Sequence, residues 1–472
     1  MAPRDENQPT PSSPLDLLRE IGAGLSRFTE RWVPDSWVIC VILTTIALLL
    51  AVFGAGVGAE EAVLAWGSGM WNLLALAMQF TIAMVAAHAC VSSRPVFHLL
   101  DRLAGLPDPG RPLQAVALGA GFSLATAYLN WALNLVACAL FVPFLCRRNP
   151  KTDVRVLVAA CYLGIGTVWH CGLSGSAPLI LATPGNPLVA PATGAPILER
   201  VIPVNETLFA PFNLAYMIVV GAVALLVVLA IHPRRGAVTL APEQVEAILP
   251  KPPPEPVPRP TPGGRIESFF GWSWLAAALI AYTLGHSVAT RGFGAAWTID
   301  SYNMVFLVAA LLLHRRPLPF LQACRQGVDA TWGIVVQFPL YAGIFGLMTN
   351  TGLGVWIGGL FTRFATTATY PLVVYVYSAF MNFFVPSGGS KWLIEAPYLI
   401  PAARELDVSV TTVLLAYSYG DSTTNLVQPF FAIPILAVTR LRFGDVVGYT
   451  FLVAVACGAV SAVAMLLIPP RL

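Results

Sequence analysis

An aspartate interrupts an apolar stretch in the run Tyr419-Gly420-Asp421-Ser422-Thr423-Thr424-Asn425. A charged carboxylate in apolar surroundings is costly, and such residues usually serve ion or proton pathways. Asp421 could carry a proton, or stay ionised and ligate Na⁺ beside backbone carbonyls. A second polar break runs from Ser174-Gly175-Ser176-Ala177-Pro178 to Thr183-Pro184-Gly185-Asn186-Pro187. Its prolines and glycines stop a regular helix and free backbone N–H and C=O groups. Freed groups need partners in an apolar medium. Hydroxyls, the Asn186 amide, a bound ion or a carboxylate could supply them, or the break could be a kinked helix that satisfies itself. A half-helix N-terminus also suits an anion.

A third constellation is Pro386-Ser387-Gly388-Gly389-Ser390, whose small residues would let backbone approach a ligand. Asn130 and Asn382 belong to two comparable tips. These runs give the candidate substrate residues: Asn130, Ser174, Ser176, Thr183, Asn186, Asn382, Ser387, Gly388, Gly389, Thr424 and Asn425. Asp421 is the candidate coupling residue, and Na⁺ could sit near Thr183, Asn186 and Asn425. Lys391 and Glu395 read as an intrahelical i,i+4 pair, or Lys391 neutralises a substrate carboxylate. His170 reads as a satisfied interior histidine, with a proton relay as the alternative. Gln79 and Gln337 read as hydrogen-bonding bridges between helices. No cofactor is expected beyond Na⁺ or H⁺.

The elements that must position these residues occur twice. Gln79, Asn130 and Gly175 are followed roughly 250 residues later by Gln337, Asn382 and Gly420, the mark of a carrier with a central site between two repeats. The chain is 57% hydrophobic and only 11% charged, with a mean hydropathy of +0.72. That composition demands an all-α integral membrane protein. Its net charge of +3 comes from loop arginines and points to topology, not nucleic acid. The eight cysteines form no CxxC pair and read as small buried hydrophobes.

Nine spans are expected, at 34–56, 63–92, 153–183, 207–232, 268–290, 301–314, 328–349, 411–437 and 446–468. The apolar segment 113–146 has basic flanks on both sides, Arg94, Arg102 and Arg111 before it and Arg147, Arg148, Lys151 and Arg155 after it. Cytoplasmic loops concentrate arginine and lysine. The segment therefore reads as a re-entrant hairpin with its tip near Asn130. The same counting inverts the second repeat, gives it a hairpin at 369–405 from the opposite face, and places the N-terminus in the cytoplasm and the C-terminus outside. Residues 1–33 read as an interfacial helix starting at Ser13-Pro14. Residues 34–232 form the first repeat and 268–472 the second. Between them, 233–267 reads as a linker whose proline-rich core, 251–262, is extended or disordered.

The strings GMWNLLALAMQF, SGSAPLILATPGNP, NFFVPSGGSKW and QPFFAIPIL together resemble the short-chain fatty acid transporter family, a branch of the ion transporter superfamily. The likeness runs over nearly the whole chain. It implies uptake of a short monocarboxylate, such as acetoacetate or butyrate, across the bacterial cytoplasmic (inner) membrane. For the superfamily it implies a homodimer and elevator-like movement. Ser390-Lys391-Trp392 and Asp421-Ser422-Thr423-Thr424 depart from the pattern of relatives, which opens substrate size and ion coupling. Neither hairpin has the Ser-Asn-Thr tip of the dicarboxylate branch, which argues against a dicarboxylate.

Two other classes compete. A passive channel would show flux without saturation and no accumulation against a gradient. An intramembrane serine protease would use Ser174 in Gly172-Leu173-Ser174-Gly175 with a histidine from another span, and would leave the repeat unexplained.

Overall fold

A computed structural model describes residues 36–191, 195–233, 236–254 and 256–472, with Arg31 and Pro34. The expected interfacial helix lies outside the described residues, apart from Arg31. Among the described residues the regular structure is helical, with no strand.

The chain opens with α1 (Ser36–Leu49), which ends in a π turn at Leu50–Gly54. Then come α2 (Ala59–Gly69), α3 (Leu74–Val91) and the short α4 (Arg94–Ala104). Next is a helical hairpin, α5 (Pro112–Leu129) and α6 (Trp131–Arg148). Asn130 alone separates its arms, in extended backbone, and its Oδ1 accepts from Leu133 N at 2.9 Å. Asn134 bridges the arms by donating to Ser123 O and Thr126 Oγ1, each at 2.9 Å. Phe122 and Phe141 meet further down at 4.5 Å between centroids. The arms are thus antiparallel, and their free ends lie together, where Arg147 and Arg148 both hold Asp101 of α4.

A broken crossing follows: α7 (Val154–Tyr162), two 3₁₀ turns at Leu163–Gly166 and Trp169–Cys171, then α8 (Ser176–Ala182). Asp153 caps α7 by accepting from Arg155 N and Val156 N, and also from Val238 N of the linker. After α9 (Pro211–Ala230) the linker holds α10 (Pro242–Ile248) and α11 (Pro262–Glu267), one on each side of its proline-rich core. The described residues of its proline-rich core carry no helix up to Pro260. Pro253 O accepts from Arg94 Nε at 3.1 Å.

The second half contains α12 (Gly271–Arg291), α13 (Ile299–His314), α14 (Pro317–Val328), α15 (Trp332–Asn350), α16 (Leu353–Thr362), the hairpin arms α17 (Tyr370–Met381) and α18 (Ser390–Glu405), the broken pair α19 (Val410–Asn425) and α20 (Ile433–Thr439), and α21 (Phe443–Leu467). From α13 onward this order repeats α1 to α9 element for element, and α12 has no counterpart. Contacts repeat too: α1 and α2 pack on α15, while α13 and α14 pack on α3. The second hairpin closes through Tyr377 Oη to Tyr398 Oη at 2.9 Å and Tyr370 Oη to Leu399 O at 2.8 Å.

The hairpins enter from opposite ends of the bundle. The base of the first sits by Asp153 and the linker. The base of the second sits by the loop after α8, through Arg404 to Ile197 O, and by the C-terminus, through Ser409 N to Pro470 O at 2.7 Å.

Nine helical stretches among the described residues are long and apolar enough to cross a membrane. Seven of them coincide with expected spans and two do not. They include both arms of the first hairpin and omit α13 and the α19–α20 pair. A hairpin arm buried in protein is as long and apolar as a true crossing, so composition does not separate the two.

Candidate functional site

Both hairpin tips and both broken crossings converge on one cavity of about 630 Å³. Trp131 comes from the first tip, Phe383 and Pro386 to Gly389 from the second, Trp169 and Ser176 from the first break, and Gln428 to Phe431 from the second. Phe80, Gln337, Phe338 and Tyr341 close it from α3 and α15. Rings dominate its wall, and Trp169 lies 6.4 Å from Trp131 and 6.0 Å from Phe431. A shallower depression beside Gly58 and Ser68 holds the exposed Glu60 and Glu61 and lies away from the breaks.

The N-terminus of α18 faces this cavity through Ser387, Gly388 and Gly389. The first N–H groups of a helix lack intrahelical acceptors, so a carboxylate there meets donors and a favourable dipole. Tyr417 Oη fixes the tip by donating to Gly388 O at 2.8 Å.

Behind the tip lies a closed charge cluster. Asp421 and Lys391 are both fully buried. Lys391 Nζ is 3.0 Å from Asp421 Oδ1 and donates to Ser378 O and Ser378 Oγ, each at 2.8 Å. It also lies over the Tyr417 ring, 4.6 Å from its centroid. Asp421 Oδ2 is 2.9 Å from His170 Nδ1, and Ala177 N donates to His170 Nε2 at 3.1 Å. Because Nε2 accepts, the imidazole proton is on Nδ1 and is donated to Asp421. His170 and Asp421 are 251 positions apart, close to the interval between the repeats, so equivalent breaks meet here.

A model of the short chain fatty acid transporter family matches residues 17–468. The chain belongs to that family. A protein of Escherichia coli (strain K12), provisionally named a short-chain fatty acid transporter, is 35% identical over 455 residues, covering 96% of this chain and all of that one. One of Haemophilus influenzae, provisionally given the same name, is 30% identical over 92% of this chain and 96% of its own. Among solved structures, the fold is similar to the YdaH transporter of Alcanivorax borkumensis, with a TM-score of 0.59, 15% identity, and coverage of 92% of this chain and 98% of that one. It is also similar to MtrF of Neisseria gonorrhoeae, described among antimetabolite efflux pumps, with a TM-score of 0.52, 13% identity, and coverage of 93% and 97%. This member of the family is therefore a transporter and a multi-pass membrane protein, not an enzyme.

Of the expected site residues, Ser176, Ser387, Gly388 and Gly389 line the cavity. The others hold the scaffold around it. Asn130 caps α6, and Ser174 Oγ accepts from Trp131 N at 3.0 Å. No histidine nitrogen bonds to Ser174 among the described residues, so the protease dyad is not formed. Thr183 Oγ1 accepts from Ile299 N, and Asn186 accepts from Leu188 N and donates to Thr183 O. Asn382 donates to Asp421 O, Thr424 Oγ1 and Asn425 Oδ1, while Asn425 donates to Ile165 O. Thr183 and Asn186 thus bond around the end of α8, while Asn425 bonds to the 3₁₀ turn at Ile165.

One reading of Lys391 is corrected: its short-range ionic partner is Asp421, not Glu395, and the side chain is fully buried behind the tip. Gln79 does bridge helices, donating to Asp300 Oδ1 at 2.7 Å. His170 is satisfied, and bonded to Asp421. The aromatic lining was missed, although Trp131, Trp169, Phe383 and Phe431 each flank a break in the sequence.

Proposed function

We propose that this transporter takes up short monocarboxylates, such as butyrate or acetoacetate, together with a cation. One observation carries the reading: the cavity joins the N-terminus of α18, where a carboxylate can rest, to a wall of aromatic rings. That pairing suits an anion with a small apolar tail. A second carboxylate would have to be buried among rings, which disfavours a dicarboxylate. Each methylene changes affinity by only about 1–3 kcal/mol, so several short acids should share the carrier.

The basic residues near the base of the first hairpin support a cytoplasmic position for that end, and the family resemblance supports a bacterial inner membrane. The N-terminus is then cytoplasmic, the C-terminus periplasmic, and the two repeats inverted. The dispersal of Thr183, Asn186 and Asn425 supports H⁺ rather than a shared Na⁺ site as the coupling ion. The family resemblance supports a homodimer. Labelled acetate, butyrate, acetoacetate and succinate should be offered to proteoliposomes under separate Na⁺ and proton gradients, with protein-free vesicles as the control for acid leak. We expect saturable uptake of monocarboxylates driven by the proton gradient. Preference for succinate would sink the monocarboxylate reading.

A further inference from the structure

Glu395 is a buried carboxyl outside the charge cluster and, unlike the buried Asp153 with its Arg155 partner, it has no cation bonded to it among the described residues. It lies on α18, fully buried, and neither of its oxygens has a hydrogen-bond partner among the described residues. Its i,i+4 neighbour Lys391 already donates twice to Ser378 and presses its ammonium on Asp421. Asp421 and Lys391 balance one another, and His170 holds a single ring proton. An ionised Glu395 would be a second carboxylate with neither a hydrogen bond nor a cation of its own, an arrangement that folded proteins avoid.

The groups facing Glu395 are few. Lys391 and Tyr398 share its helix, Tyr377 comes from α17, and Asp421 and Tyr417 come from α19. Helices α15 and α16 also pack on α18, and their only titratable side chain is Tyr341. The phenols of Tyr377 and Tyr398 bond to each other, and Tyr417 Oη bonds to Gly388 O. The phenols cannot neutralise an anion at Glu395, and Lys391, the cation beside it, is already engaged by Asp421 and Ser378.

We propose that Glu395, not Asp421, carries the transported proton. In this structure, where it is fully buried, it is a neutral acid. When the second hairpin opens, its O–H bond breaks, the electron pair stays on the carboxylate, and the proton passes to water. Asp421 remains ionised throughout, held by Lys391 and His170.

Coupling then follows from charge. Glu395 stands six residues beyond Gly389, about 9 Å along the helix from the tip where the substrate carboxylate would rest. With Glu395 neutral the cluster carries no net charge, and an anion is admitted. With Glu395 ionised the cluster is net negative and repels it. Proton and anion therefore favour each other's binding reciprocally. This inference rests on the symport reading and names the group behind it.

The test compares wild type, Glu395→Gln and Glu395→Asp in proteoliposomes, with butyrate as the probe. Glutamine mimics the neutral acid. E395Q should exchange external for internal labelled butyrate near the wild-type rate, yet fail to accumulate it when a proton gradient is imposed. E395D should restore accumulation in part. Tryptophan fluorescence from the cavity should show wild-type butyrate affinity falling roughly tenfold as pH rises through the neutral range, and E395Q affinity staying flat. Infrared difference spectra without substrate should show a protonated carboxylic acid band that E395Q lacks. Proton-driven accumulation by E395Q at the wild-type level would overturn the proposal, as would an unchanged acid band. Wild-type protein that moves no butyrate would instead defeat the substrate reading, with the infrared band still deciding the state of Glu395.

Discussion

At the scale of single residues, the protein keeps an ion pair where burial makes unpaired charge expensive. Removing one partner of a buried pair costs about 3–5 kcal/mol, whereas replacing both with apolar groups can be nearly neutral. Lys391→Met alone should therefore lower the unfolding temperature of the detergent-solubilised protein sharply. Lys391→Met with Asp421→Leu should recover much of that loss, and thermal melts of the single and double variants would show whether it does. Gly388 is constrained by space. A Cβ there would lie 2.6 Å from His170 Cε1, 2.8 Å from the Trp169 ring and 3.0 Å from Asp421 Oδ2. All three are pinned by their own contacts. Overpacking of this kind costs about 1–3 kcal/mol, so Gly388→Ala should lower uptake roughly tenfold or more while the protein still inserts. Uptake normalised to protein in the membrane reads this directly.

At the scale of elements, close helix crossings and caps set where the cavity can be. Helices α2 and α15 touch backbone to backbone, since a Cβ on Gly346 would lie 2.5 Å from Gly69 Cα. Small residues allow such crossings in membranes, where packing replaces the hydrophobic drive. Gly346→Val should force the helices apart and destabilise the protein by about 1–3 kcal/mol, seen as a lower melting temperature. At the start of α7, burial works to raise the Asp153 carboxyl. Arg155 and the N–H groups of Val238 and Val156 outweigh it, and the net shift is downward. A lowered folded value means that this group stabilises above the ordinary carboxylate value of about 3.9 and loses that effect as pH falls through its folded value. Melts should thus show wild type losing stability below about pH 4. Asp153→Ala should be less stable at neutral pH by about 1–2 kcal/mol and should lose less on acidification.

At the scale of the whole molecule, two copies of one element order face each other and bring their breaks together. Inverted entry of the hairpins is what makes the tips meet. If that is the arrangement in the membrane, cysteines introduced at Arg111 and Lys151 should react with an impermeant maleimide from the same face, and one at Asp407 from the other. The natural cysteines described are buried or half-buried, which favours a low background. Labelling of positions 111 and 151 from opposite faces would remove the hairpin.

Much of this was legible in the chain itself. The hairpins expected at 113–146 and 369–405 are found as Pro112–Arg148 and Tyr370–Glu405, because apolar length, proline and basic flanks are local properties. The duplicated motifs were legible for the same reason, but the breaks expected at 174–187 and 419–425 are displaced: Ser176–Ala182 and Tyr419–Asn425 are helical, and the chain breaks at 163–175 and 426–432. What the sequence could not supply is which polar groups face the cavity and which satisfy the scaffold. Thr183 and Asn186 look like ligands in one dimension, yet they bond to Ile299 and to their own loop. The partnership of Lys391 with Asp421 instead of Glu395, and the meeting of His170 with Asp421, depend on side chains far apart in the chain being brought within 3 Å. Backbone periodicity and composition fix what each segment must become. Only the tertiary packing, of hairpin against helix inside the second repeat and of one repeat against the other at His170, decides which buried charge finds a counter-ion.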